Sequence, residues 1–438
     1  MVEREIIRKT YSVCPKCLRR LTARYVRING SVYMQKECPE HGEFCTVIWR
    51  GYMDMDDWTK NSGETADEGN PNCPNDCGLC SYHAQDTCCT LLEVTDRCNL
   101  NCRFCFADNG DSPDPTLEQI RLWLNKLAKP GKTLVQLSGG EPTVRDDLPQ
   151  IVAAAKEAGC RYVQLNSNGI RLAEDEEYLE KLARAGLSFV FMQFDGTRDA
   201  IYQKLRGRRL LEIKQQAIEN CAHYNIGVTL VPTLVPGVNT HNIGDILKFA
   251  IARSPMVRGV HFQPVSFLGR IPELPADYMR FTLDELLVSI EEQAGGLIKL
   301  KNIIPSRCNH PLCGFHGNFV VMPDNIVPLL HRERAGEGCC SPTTADKNRA
   351  FISRRWQRQP QGKGNPSCCC GKESDINSME YFLRRVKTHG FTVTAMAFQD
   401  AGNIDLERLR WCSLHVFDRD RFVPFCSYYL SRWQKQWS

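Results

Sequence analysis

The sequence predicts an α/β protein: a partial (β/α)6 barrel over residues 90–295, flanked by a cysteine-rich N-terminal metal-binding module and a cysteine-rich C-terminal domain. Three observations predict it. Six short apolar runs alternate with amphipathic segments, the pattern of parallel strands joined by helices. Polar clusters recur where five of the six runs end. The chain's 23 cysteines, too many to be disulfide staples in a reducing compartment, fall largely in close-spaced groups that read as metal ligands.

Residues 1–60 hold CPKC, the alternating stretch ARYVRINGSVYMQKE and CPEHG, the outline of a small metal-tied β module. Cys14-x2-Cys17 and Cys38-x2-His41 form two knuckle-like pairs, a tetrahedral set suited to one zinc or iron. Cys45 is the rival to His41, and the matching spacing favours His41. Residues 61–89 are a polar linker followed by NCPNDCGLCSYHAQDTCC. Cys73-x3-Cys77-x2-Cys80, followed by Cys88, supplies four thiolates for a closed auxiliary iron-sulfur cluster; Cys89 competes for the fourth place, and a zinc knuckle is the alternative.

In the central zone the strands are LLEVT, TLVQLSGG, YVQLNSNG, LSFVFMQFDG, IGVTLVPTLV and GVHFQPVSF, separated by segments such as LEQIRLWLNKLA and LPQIVAAAKEAG. A βα barrel collects its chemistry at the C-terminal ends of its strands. There lie Thr95 to Cys105, Ser138 to Pro142, Asn166 to Gly169, Gln193 to Gly196 and Gln263 to Pro264. Isolated Cys160 and Cys221 read as small buried residues. Residues 296–438 are less periodic and hold nine further cysteines, in CNHPLC, a CC pair, a CCC run and WCSLHVFDRDRFVPFC. Cys308 and Cys313 can pair in space with Cys412 and Cys426, with Cys339, Cys340 and Cys368 to Cys370 as rivals.

The net charge of +4 arises from 55 basic and 51 acidic residues spread along the chain, which gives no footprint for nucleic acid. No apolar run reaches the ~20 residues of a spanning helix, and MVEREIIRKT is too charged for a signal peptide core. A cytoplasmic protein is expected, with peripheral membrane contact the most a lipid bilayer would offer it.

The segment TDRCNLNCRFCFA holds three cysteines, one fewer than a closed four-iron site needs. Three thiolates leave one iron open to chelate a small molecule. Cys98-x3-Cys102-x2-Cys105 on the loop after the first barrel strand resembles the signature of the radical S-adenosylmethionine (SAM) superfamily. The resemblance makes these cysteines the catalytic cluster ligands and sets Phe104 against the adenine. SGGEP resembles that family's GGE motif, so Gly139, Gly140 and Glu141 are expected to hold the methionyl group. Asn166 and Asn168 match positions that contact SAM. Gln193 and Gln263 are candidate SAM contacts or strand-end caps.

Across residues 14 to 426 the landmarks CPKC, CPEHGEF, CPNDCGLCSYHAQDTCCTLLEVTDRCNLNCRFCFA, LRGRRL, FQDAGNIDLERL, WCSLHV and FVPFC resemble the tetraether lipid synthase group within that superfamily. This resemblance prefers Cys88 over Cys89 and makes Cys308, Cys313, Cys412 and Cys426 a second auxiliary cluster. It implies reductive cleavage of SAM at a 4Fe-4S cluster to a 5'-deoxyadenosyl radical, hydrogen abstraction from an unactivated carbon, and C-C coupling or methylation aided by the auxiliary clusters. A low-potential donor of the flavodoxin or ferredoxin type and a small-molecule or lipid substrate follow. The alternatives are transfer of a 3-amino-3-carboxypropyl group, to a soft atom such as arsenic held by the vicinal cysteines, and a noncatalytic iron-sulfur redox sensor.

Overall fold

The computed structural model describes residues 4–60, 72–75, 78–106, 113–269, 275–332, 356–358 and 379–430. Cys77, Cys339, Cys340 and Cys368 to Cys370 lie outside the described residues.

The N-terminal module is an antiparallel sheet of β1 (Arg4–Val13), β2 (Arg20–Ile28), β3 (Ser31–Cys38) and β4 (Gly42–Trp49), in that order. Its central hairpin turns on Asn29-Gly30, both with positive φ, between the paired residues Ile28 and Ser31. An Asn-Gly turn of this kind matches the right-handed twist of the strands it joins.

The second sheet is built on β5 (Cys89–Thr95), β6 (Leu134–Gly139), β7 (Tyr162–Ser167), β8 (Phe189–Gln193), β9 (Gly227–Val231), the short β10 (Thr233–Leu234) and β11 (Val257–Pro264). Strands β5, β6, β7, β8, β9 and β11 are parallel neighbours in that sequence. Each coincides with one of the six apolar runs, because strands covered on both faces must be nearly continuously hydrophobic. Between them run the helices Leu117–Leu127, Leu148–Glu157, Glu176–Arg184, Leu211–His223 and Ile243–Ala252. The first opens on a reciprocal capping box of Thr116 and Gln119. Cys160 and Cys221 are buried, as expected of packing residues.

Residues beyond 295 extend this sheet at both edges. β12 (Ile303–Pro305), β13 (Gly314–Val321), β14 (Ile326–Pro328) and β15 (Gly390–Met396) continue it past β11, with β15 parallel to β11 and β13 antiparallel to β15. At the opposite edge β16 (Leu414–Asp418) lies parallel to β5 and pairs with β17 (Arg421–Pro424). Both edges of the parallel array are thus covered by paired backbone. Among the described residues no helix is long and apolar enough to cross a membrane.

Candidate active site and metal centres

The loop leaving β5 carries Cys98, Cys102 and Cys105, and the end of β6 is stitched to it: Gly140 N donates to Thr95 O (2.8 Å) and Glu141 N to Arg97 O (2.8 Å). A Cβ on Gly139 would lie 2.1 Å from Thr95 O, and one on Gly140 2.1 Å from Arg97 O. Only glycine permits this approach. Glu141 is buried; its Oε1 accepts from Thr143 N (3.1 Å), Thr143 Oγ1 (2.7 Å) and Ser167 Oγ (2.8 Å), and its Oε2 from Asn168 N (2.6 Å). Burial raises its pKa against the pull of these donors. A carboxylate has about four acceptor positions, and Oε2 has capacity for one more donor, as an ammonium ligand requires.

The three cysteines and Phe104, Gly139, Gly140, Glu141, Asn166, Asn168, Gln193 and Gln263 all line one cavity of about 360 Å³. Asn168 is more committed than a free ligand contact: its Nδ2 donates to Asn99 Oδ1 (2.7 Å) in the cysteine loop and its Oδ1 accepts from Ile170 N (3.0 Å). Asn166 donates to Ser138 Oγ (3.3 Å). Phe104 meets Phe267 edge-on at 6.2 Å. Burial, with Glu141 and the two neighbouring thiols, pushes the Cys98 thiol up to about 12. Three thiols crowded in a buried wall fit a cluster that takes them as thiolates.

Sequence reasoning missed Arg206. It is buried, forks onto Asp195 (2.8 and 2.7 Å), reaches Thr233 Oγ1 (3.2 Å) and, against its burial, is raised in pKa by Asp195 and by the nearby Cys102. With the Gln193 amide oriented so that its oxygen faces the guanidinium, that oxygen accepts from Arg206 at 3.2 Å. Buried Lys214 donates to Asn168 O, and burial brings it down to about 8.

In the N-terminal module the ligand atoms of Cys14, Cys17, Cys38 and His41 lie within 4.8 Å of one another. His41 Nδ1 is 3.6 Å from Cys14 Sγ and 3.4 Å from Cys38 Sγ, and Cys17 and Cys38 sulfurs are 3.9 Å apart. Tetrahedral zinc with sulfur at ~2.3 Å places ligands about 3.7 Å apart, so the set fits such an ion. Cys45 is exposed and takes a hydrogen bond from Gln35 (3.9 Å).

Comparison with known proteins agrees with this geometry. The "Radical SAM superfamily" model matches residues 92–250, and the "HMPTM N-terminal zinc ribbon domain" model matches residues 6–50. A Methanocaldococcus jannaschii protein named 7,8-dihydro-6-hydroxymethylpterin dimethyltransferase is 34% identical over 471 residues, covering 96% of this chain and 93% of that one. The chain is a radical SAM enzyme. This radical SAM enzyme is also similar, over shorter spans, to a Methanosarcina barkeri Fe-coproporphyrin III synthase (32% identity, 41% of this chain and 44% of that one). A probable GTP 3',8-cyclase of Methanocaldococcus jannaschii is 26% identical over 56% of this chain and 79% of its own.

In this radical SAM enzyme the described segments that carry Cys73, Cys80, Cys88, Cys308, Cys313, Cys412 and Cys426 pack against one another. Residues 82–88 run along residues 410–415: Arg410 Nε donates to Tyr82 O (2.7 Å), Ala84 N to Arg410 O (2.9 Å) and Cys88 N to Ser413 O (2.8 Å). His83 donates to Cys412 O (2.7 Å) and stands 3.2 Å from His415. Ser427 Oγ donates to Pro74 O (2.9 Å), which fixes the residue after Cys73. Cys80 is exposed. Cys88 hydrogen-bonds Cys308 and, with Ser306 and Ser413 and against burial, brings that thiol down to about 7. Burial pushes Cys412 up to about 12, with Cys313 and Cys308 adding to it; Cys426 is raised by burial and by Cys412. Wholly buried Arg408 donates to Leu312 O (2.9 Å) and Cys313 Sγ (3.5 Å), while its Nε has no acceptor among the described residues. A buried guanidinium so placed fits an anionic sulfur centre there. Cys88 and Cys308 also line the cavity that Cys98, Cys102 and Cys105 line.

Proposed function

We propose that this radical SAM enzyme methylates a pterin-type heterocycle. The observation that carries the reading is the resemblance to the pterin dimethyltransferase, which covers 96% of this chain and 93% of that one rather than the parallel sheet alone. It favours methylation of a small molecule over lipid-tail coupling. The vicinal cysteines that motivated aminocarboxypropyl transfer lie outside the described residues, and no observation favours that reading. An enzyme relative of full length favours catalysis over redox sensing.

In this reading Cys98, Cys102 and Cys105 hold a 4Fe-4S cluster, and the ends of β5, β6 and β7 seat SAM. The chemistry the cluster supplies when bound is one-electron cleavage of SAM to a hydrogen-abstracting 5'-deoxyadenosyl radical. Glu141 Oε2 receives the amino group, and Phe104 supplies an apolar face for the adenine. Arg206 compensates charge at Cys102. The sheet is read as a partial (β/α)6 barrel enclosing the substrate and excluding water. Residues 1–60 carry a zinc or iron on Cys14, Cys17, Cys38 and His41. Residues 61–89 carry the Cys73, Cys77, Cys80, Cys88 cluster, and residues 296–438 the Cys308, Cys313, Cys412, Cys426 cluster. A low-potential flavodoxin or ferredoxin serves as donor.

The test is anaerobic reconstitution with iron and sulfide, then 6-hydroxymethyl-7,8-dihydropterin, dithionite as electron source and SAM as both radical source and methyl donor, the latter leaving as S-adenosylhomocysteine, with mass spectrometry of the nucleosides and the pterin. 5'-Deoxyadenosine together with a methylated pterin, both lost in Cys102→Ala, is the expected result. Methylthioadenosine, or 5'-deoxyadenosine beside unchanged pterin, would overturn the assignment.

A further inference from the structure

The cavity continues past the SAM-facing wall into the interior of the parallel sheet, and its deep end is chemically distinct. Side chains two residues apart on each strand point the same way. β6 thus contributes Gln136 below Ser138, β7 contributes Gln164 below Asn166, and β11 contributes His261 below Gln263. Gln136 and Gln164 are direct partners in the parallel pairing of β6 with β7.

The existing hydrogen bonds dictate what these groups offer. Cys89 Sγ donates to Gln136 Oε1 (3.3 Å), so the Gln136 amide turns its NH2 to a ligand. Gln164 Nε2 donates to Asn166 Oδ1 (2.9 Å), which leaves its carbonyl oxygen as the acceptor. A donor and an acceptor therefore stand side by side on adjacent strands. His261 Nδ1 pairs with Thr394 Oγ1 (2.8 Å), so Nε2 is its second hydrogen-bonding atom. The imidazole lies 5.4 Å from the Phe191 ring, which is itself 4.6 Å from Trp356. Burial holds His261 down to about 4, so the ring is neutral at physiological pH.

The charge distribution decides between ligand classes. Apart from the thiols, Glu141 and Arg206 are the only charged side chains lining the cavity among the described residues, and both sit at the SAM end with partners of their own. A phosphate ester or nucleoside triphosphate in the deep end would meet no cation among the described residues, and burying such charge unpaired is prohibitive. An alkyl chain would offer no partner to the Gln136 NH2 or to the Gln164 carbonyl oxygen.

We infer that the deep end of the cavity binds an uncharged planar heterocycle, its amide-like edge read by Gln136 and Gln164, with His261 as a third polar contact beside the Phe191–Trp356 wall. The inference rests on the pterin reading and adds to it the place of binding, the residues that recognise the ring and the exclusion of phosphorylated forms. It places the ring between the Cys98, Cys102, Cys105 wall and the Cys88–Cys308 pair.

The test is anaerobic equilibrium dialysis of the metal-loaded full chain against three probes: 6-hydroxymethyl-7,8-dihydropterin, its diphosphate ester and GTP. The variants are Gln136→Leu, Gln136→Glu and Thr394→Val; the second preserves the acceptor for Cys89, and the third releases His261 without touching the ring. Zinc and iron contents confirm that each variant is folded. The expected result is binding of the alcohol at least tenfold tighter than either phosphorylated probe, with a tenfold or greater loss in the Gln136 variants and a smaller loss in Thr394→Val. Equal affinity of wild type and variants for the alcohol would overturn the placement while leaving the substrate reading intact. Tighter binding of the ester would overturn the charge argument, and a wild type that binds no pterin at all would bring down the substrate reading and this inference with it.

Discussion

Arg206 shows what a single buried charge contributes at the cysteine wall. Its Asp195 partner is fully buried, so Arg206→Gln would leave a carboxylate without its counterion. Breaking a buried pair from one side costs about 3–5 kcal/mol. The variant should unfold at clearly lower urea, and Arg206→Lys, which keeps the charge but loses the fork, should recover only part of the difference. Loss of the cation beside Cys102 should also make the centre bound there harder to reduce, which a redox titration reads separately from stability; an unchanged potential would show that the contact is only structural. The three cysteines were legible because their spacing is local. Arg206 was not, because LRGRRL contains three arginines and nothing in the string says which one turns inward toward residues from two distant strand ends.

Lys36 makes a second prediction at this scale. Its ammonium is buried between the ribbon and the body, donating to Ser12 Oγ (3.0 Å) and Ala401 O (2.7 Å). Burial lowers it to about 7 from the ordinary 10.5, with Asp400 opposing. Because the folded value lies below the unfolded one, the unfolded chain binds the extra proton between those two pH values. Stability contributed by this residue therefore rises as pH climbs from about 7 to about 10.5. Urea midpoints at pH 7 and pH 9 should rise more in the wild type than in Lys36→Met; equal rises would mean that Lys36 is not the group responsible.

At the scale of elements, the end of β6 and the cysteine loop behave as one unit. Gly140→Ala would set a methyl group 2.1 Å from Arg97 O, where only backbone movement relieves the clash. The loop carrying Cys98, Cys102 and Cys105 must then shift. The expected outcome is loss of iron at that loop after reconstitution, with the ribbon's metal content unchanged, as metal analysis would report; full iron loading would show that the loop tolerates the displacement. The six parallel strands were legible because burial on both faces imposes apolar runs. β15 and β16 were not: GFTVTAM and LHVFD are no different in composition, but their partners β11 and β5 are remote in sequence and lie at opposite edges of the sheet. The hydrogen bonds of Asn168 were equally hidden, since LNSNG reads alike as a turn and as a ligand contact.

At the scale of the whole molecule, the ribbon and the C-terminal cysteines are mechanically joined through Asp405. This carboxylate is fully buried and accepts from Arg8 Nη2 (2.5 Å), Thr10 Oγ1 (2.7 Å) and Tyr25 Oη (2.8 Å) of the ribbon. It also caps the helix Leu406–Arg410 through Glu407 N (3.0 Å), and that helix aims Arg408 at Cys313. No sequence pattern announced this node, because its partners lie some 400 residues apart and each is unremarkable alone. Asp405→Asn keeps the size of the side chain but turns a charged acceptor of several bonds into a neutral amide facing the half-buried Arg8 guanidinium, which keeps Glu407 as its other partner (2.9 Å). The loss should be about 1–3 kcal/mol, as for hydrogen bonds weakened at a buried acceptor. Because the node is shared, amide hydrogen exchange should speed up in β1 and β2 and in the Leu406–Arg410 helix together, while β6 and β7, on the far side of the cysteine loop, keep their protection. Chelating the ribbon metal should produce the ribbon half of that pattern, since the Cys14, Cys17, Cys38, His41 set ties the β1–β2 and β3–β4 connections of the sheet that Asp405 bonds through Arg8, Thr10 and Tyr25. If exchange accelerates in the ribbon alone after Asp405→Asn, the ribbon is merely docked there; if it accelerates at both ends, the N-terminal metal helps to set the geometry around Cys313, and the two ends of the chain form one functional assembly.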